Sequence, residues 1–132
     1  MYFIYGVHWC INAVTRAEGI PSAVLIRALE PLRGIELMRE RRGSPARDRD
    51  LTNGPGKLCE ALDIDGRYNR FSLQRGPVVI REGNRIADEM VLITPRIGIV
   101  KAADWPLRYT VAGNEFVSRA PALPPKPRRP RN

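Results

Sequence analysis

The chemistry this chain could perform is concentrated at a few positions. An aromatic and β-branched run from Tyr2 to Val14 is broken by Tyr5-Gly6. A glycine there suits a tight hairpin turn and leaves Tyr5 as a large ring held toward solvent. On a basic chain that ring has the form of a wedge pushed between base pairs; the alternative is a ring packed on the body. Arg27 stands inside the apolar run Ala23 to Leu29. An arginine there needs a carboxylate, a phosphate or a water-filled pocket, and Glu30 is the near acid for a purely structural pair. Asn53-Gly54-Pro55-Gly56-Lys57 reads as a helix start with Pro55 at the first helical position. Such a start offers free N–H groups, and Lys57 in the first turn opposes the helix dipole unless an anion docks. Gly54, Gly56 and Lys57 are therefore candidate phosphate ligands, with an ordinary capped helix as the alternative. The spacing is not that of a P-loop. His8 and Cys10 share one face of an extended strand, but no third group orients them as a nucleophile pair. The arginine-rich run from Arg39 to Arg49 is either a solvated face or a phosphate contact.

These residues must be held by elements the pattern also suggests. Tyr2 to Val14 predicts a strand pair around the Tyr5-Gly6 turn. Ala23 to Leu29 predicts a second buried strand. Leu32, Ile35 and Met38 recur at helical spacing, and Gly43 ends that helix. Ser44 to Thr52 reads as a charged loop, and Leu58 and Leu62 give the next helix its apolar face. Val78 to Ile80, Met90 to Val100 and Leu107 to Val111 are further strand candidates. Strands and helices mix without regular βαβ alternation. That predicts an α+β fold, a single domain over residues 1–120 with a mostly antiparallel curved sheet and flanking helices. From Pro121 onward, residues 121–132 read as a disordered basic Pro/Arg tail.

Composition narrows the class. The 132 residues suit one domain, and 43% of them are hydrophobic, enough to bury a core. The net charge of +8 points to a polyanionic partner. One histidine and two cysteines, Cys10 and Cys59, cannot build a four-ligand zinc site or a cysteine-ligated iron–sulfur cluster. Two cysteines so far apart make no disulfide framework and fit a reducing cytosol. The apolar start lacks a basic leader, and no run reaches the ~20 apolar residues of a membrane span. The expectation is a cofactor-free, metal-free, monomeric protein of the cytoplasm, nucleoid-associated if bacterial.

Taken in order, several stretches resemble the methylpurine-DNA glycosylases of base excision repair. They are Tyr-Phe-Ile-Tyr-Gly-Val-His-Trp-Cys-Ile-Asn at 2–12, Val-Leu-Ile-Arg-Ala-Leu-Glu-Pro-Leu at 24–32, and Leu-Thr-Asn-Gly-Pro-Gly-Lys-Leu-Cys-Glu-Ala-Leu at 51–62. Pro-Arg-Ile-Gly-Ile at 95–99 and Pro-Leu-Arg-Tyr at 106–109 complete the set. The resemblance extends to about Val117. It implies an enzyme that flips an alkylated or deaminated purine out of duplex DNA and hydrolyses its N-glycosidic bond with water. Tyr5 matches the intercalating hairpin tyrosine and Tyr2 the ring that stacks on the flipped base. Asn12 matches a pocket-floor residue, with His8 grouped at the same base pocket. Arg27 matches the arginine that helps hold the attacking water, and Ile97 contributes a backbone carbonyl to that water. Gly54 to Lys57 match a phosphate-contacting helix start. The family's general base is a glutamate upstream of the hairpin, so the resemblance implies a chain that begins after that segment and is incomplete at its N-terminus. Three readings stay open: a monofunctional glycosylase, a catalytically impaired damaged-DNA binder, and a non-specific basic DNA-binding protein.

Overall fold

A computed structural model of the chain describes residues 2–4, 8–44, 47–98 and 100–118. Strand β1 (Tyr2–Ile4) pairs antiparallel with β2 (His8–Cys10), with Ile4 opposite His8. The two strands are thus joined by three residues, 5–7; Tyr5 and Gly6 lie outside the described residues. The chain continues through Ile11 into β3 (Asn12–Val14), which pairs antiparallel with β4 (Ala23–Leu25). The expected strand from Ala23 to Leu29 is shorter than its apolar run. Ile26 still donates its N–H to the Ile11 carbonyl at 3.0 Å, but Leu29 turns away to the Thr52 carbonyl at 3.2 Å.

Helix α1 (Ile35–Arg41) begins after Gly34, whose φ of +73° is a conformation that favours glycine. Leu32 lies before this helix and is exposed, so only Ile35 and Met38 of the expected apolar triplet serve it. Helix α2 (Pro55–Leu62) starts where the sequence says it should, with Gly54 extended before Pro55. It ends on Asp63 in the left-handed region, which short polar side chains tolerate.

Packing centres on α2. Ile11, Leu58, Cys59 and Ile64 form one buried cluster, flanked by Trp9, Ile26 and Tyr68. Met38, Leu51 and Ala61 form a second between the helices. The Arg39–Arg49 run is not a merely solvated face. Arg42 donates to the carbonyls of Leu51 and Asp50 and pairs with Glu60, while Arg39 pairs with Asp48 and Arg47 with Asp50. These bonds tie the loop onto both helices and leave less of it for phosphates.

The last ribbon is β5 (Val91–Thr94) against β6 (Arg108–Val111), with Thr94 opposite Arg108. The strand expected from Met90 to Val100 stops at Pro95, which has no N–H to donate. Val78 to Ile80 is not a strand: its Ile80 N–H goes to the nearby Leu73 carbonyl, and no ladder partner lies alongside. All pairing among the described residues is antiparallel, in three two-stranded ribbons, and with the helices it makes the expected α+β class.

Candidate functional site

The strand register gathers part of the expected site. Tyr2 stands opposite Cys10 in the first ribbon, and Asn12 opposite Leu25 in the second. Continuing the second ladder past the Ile26–Ile11 bond puts Arg27 opposite Cys10. Arg27 lies beyond the end of β4, near enough to Cys10 for its charge to act on the thiol. Asn12 follows two residues after Cys10, on the same face by the alternation of a strand.

Arg27 lies half-buried in the wall of a cavity of about 740 Å³ between β4 and β6. Arg96 and Arg108 line the same cavity, together with Leu107, Tyr109 and Phe116. The structural pair with Glu30 is not formed: Glu30 instead accepts from the Asn114 side-chain amide at 3.2 Å. The Nε atoms of Arg27 and Arg96 are buried and meet no hydrogen-bond partner. Arg108 is buried and donates to the Thr94 hydroxyl and, at 2.7 Å, to the Ser118 carbonyl. Burial first, and then the charge of Arg27, push its guanidinium below the ordinary pKa. Ile97 sits in the turn beside Arg96, but it is not among the residues lining the cavity.

Asn12 opens into a different space. It lines a cavity of about 540 Å³ with Tyr68, Phe71 and Val78, none of which lines the Arg27 cavity. His8 does not face either cavity. A Cβ placed on Gly56 would lie 2.9 Å from the His8 Cβ and Cγ, so the imidazole rests directly on the first turn of α2. Only a glycine at position 56 leaves room for it. His8 is thus brought to the candidate phosphate site rather than to Asn12. Lys57 is exposed there, and its Nζ reaches back 2.9 Å to the Asn53 Oδ1.

Cys10 is buried, and burial raises its pKa although Arg27 acts to lower it. Burial makes that thiol a poorer nucleophile, and the His8 imidazole rests on the first turn of α2. Burial, with Cys10 as a close neighbour, pushes Cys59 up to about 11. Among the described residues no three His, Cys, Asp or Glu side chains come together as metal ligands. Nor is any helix there long and apolar enough to cross a membrane.

The sequence model of the methylpurine-DNA glycosylases matches residues 1–115. The chain belongs to that family. Among curated relatives of this family, a Salinibacter ruber protein provisionally named 3-methyladenine DNA glycosylase is 48% identical over 120 residues, covering 91% of this chain and 58% of its own length. A Rhodopseudomonas palustris protein of the same provisional name is 49% identical over 118 residues, covering 89% and 57%. One from Methanoculleus marisnigri is 46% identical over 122 residues, covering 90% and 63%. The chain thus spans about three-fifths of the length of these methylpurine-DNA glycosylase relatives.

Sequence reasoning passed over Arg96 and Arg108, although both stand inside stretches that carry the family likeness. The signal that picked out Arg27 applied to Arg108 as well: a charge between apolar residues, here Leu107 and Tyr109.

Proposed function

We propose that this chain takes part in excising alkylated or deaminated purines from double-stranded DNA, by base flipping and hydrolysis of the N-glycosidic bond. The observation that carries the reading is that two adjoining ribbons set Tyr2 opposite Cys10 and Asn12 opposite Leu25, with Arg27 two residues on in a cavity wall. The ring of Tyr5 enters the stack and offsets the few kcal/mol, roughly, that unstacking costs. Tyr2 offers a ring face to the electron-poor alkylated purine. Arg27, with the Ile97 carbonyl, holds water at the sugar C1′. Gly54, Gly56 and Lys57 take a backbone phosphate, and His8, expected at the base pocket, rests on that same turn. Residues 1–120 act as the single DNA-binding domain and 121–132 as its basic tail.

One observation favours a second reading, a damaged-DNA binder without chemistry. Among the residues lining the Arg27 cavity the sole carboxylate is Glu30, and Asn114 already occupies it. A missing general base costs about 10²–10⁴-fold in rate.

A single-turnover assay decides between them, with the 132-residue chain in excess over a duplex holding one alkylated purine. Alkali-labile product establishes the glycosylase. Lesion-selective binding without product establishes the binder. In both cases Tyr5→Ala weakens lesion binding. Binding that ignores lesions, is untouched by Tyr5→Ala and falls steeply with salt defeats both.

A further inference from the structure

The Arg27 cavity has a property that water-holding by one arginine does not require. Three guanidinium groups, those of Arg27, Arg96 and Arg108, line one space, and none of them forms an ion pair with a described residue. Two carry buried Nε–H groups without an acceptor. Arg108, the one buried charged side chain of the described residues, is satisfied by neutral oxygens alone. Arg27 and Arg96 are half-buried beside the buried Arg108, and Arg96 also donates to the Lys101 carbonyl; the like charges still repel, and the two unmatched Nε–H donors cost desolvation. An anion reverses both terms at once.

The shape of the space narrows the anion. About 740 Å³ lies within the range of small-molecule sites and far exceeds a lone oxyanion. Much of the remaining wall is apolar and aromatic, with Leu107, Tyr109 and Phe116 in it, and its one carboxylate, Glu30, accepts a hydrogen bond from Asn114. A dianion with three terminal oxygens matches three guanidinium forks better than a carboxylate with two. We propose that the Arg27–Arg96–Arg108 cavity is a site for a phosphate monoester borne on an aromatic body: a free nucleoside monophosphate or the phosphorylated end of a nucleic-acid strand. The terminal phosphate spans the arginines, and the base lies on Tyr109 and Phe116. The inference needs only the cavity, so it stands or falls apart from the glycosylase reading.

The test titrates the full chain with adenosine monophosphate, adenosine, and a short DNA strand with or without a 5′-phosphate. Calorimetry gives affinity, and the arginine Nε–H signals in nitrogen-15 spectra give location. The nucleotide binds, adenosine does not, and the Nε–H signals of Arg27 and Arg96 shift. Arg96→Gln, on a half-buried turn residue, weakens nucleotide binding about tenfold, the loss of one charge-assisted hydrogen bond. Arg75→Gln, an exposed arginine outside the cavity, changes it little. A preference for the free nucleotide over the phosphorylated strand assigns the site to small molecules, and the reverse assigns it to strand ends. Equal binding of adenosine and its monophosphate overturns the proposal. So do an equal loss in Arg75→Gln and nucleotide binding that leaves the arginine signals unmoved.

Discussion

The chain up to Ile64 and the chain beyond it are built on different terms. Every buried apolar side chain of the described residues, from Cys10 to Ile64, lies in the first stretch. The second has one buried residue, and it is Arg108. Many of its apolar residues, among them Leu92, Ile93, Trp105 and Tyr109, remain open to solvent, while Tyr68 and Val78 lean on the α2 cluster. The first stretch is held by burial around α2. The second is held by a ribbon of backbone hydrogen bonds and the reach of Arg108 to Ser118. Burial of apolar surface is the dominant favourable term in folding, while a two-stranded ribbon alone is marginal in water. The difference teaches that stability resides around α2, while the cavity joins the two stretches: Arg27 stands on the packed one, Arg96 and Arg108 on the one with least packing behind it.

Substitutions probe that contrast in order of expected size. Leu58→Ala removes a side chain with no exposed surface from the centre of the α2 cluster. It should cost about 2–5 kcal/mol in urea unfolding, a large share of the stability of a small domain. A loss below about 1 kcal/mol would mean the contrast is wrong. Gly66→Ala comes next. Its Cβ would meet Trp9 Cη2 at 2.7 Å, so the half-buried indole must shift from its place on the α2 cluster, and about 1–3 kcal/mol is expected.

Alkali gives a milder effect on the same core. The folded Cys59 thiol titrates near 11, above its ordinary value of 9.0. The stabilisation is present in full below pH 9, where the thiol is neutral folded or unfolded. It is lost as pH rises toward 11, because the unfolded thiol ionises first. Unfolding midpoints should fall over that window in the parent chain. In Cys59→Ala that part of the fall should be missing. The smallest change is Leu92→Ser on the open face of the last ribbon, expected within about 0.5 kcal/mol of the parent. A cost near that of Leu58→Ala would show that the ribbon's face is covered in solution.

Local chemistry made much of this legible beforehand. Pro55 after Gly54, then Leu58 and Leu62, specify α2 because capping and helical period are short-range properties. The aromatic and β-branched run from Tyr2 to Val14 specified extended chain, and β1 pairs antiparallel with β2 within it. The ordered stretches also carried the family. Misreadings fell where the answer depends on distant partners. Val78 to Ile80 has strand composition, yet composition supplies no neighbouring strand. The contact of His8 with Gly56 was equally hidden, because it depends on a missing side chain 48 positions away.

The sequence by itself therefore determined α2, the first strand pair, the basic character and the kinship with methylpurine-DNA glycosylases. Tertiary structure alone decided that Arg27 leaves Glu30 unpaired with it, and that Arg96 and Arg108 join it in one cavity. The reason is physical. A helix cap or a tight turn is settled by residues a few positions apart. The partner of a buried charge is settled by whatever the whole fold brings within a few ångströms, and sequence spacing does not encode that.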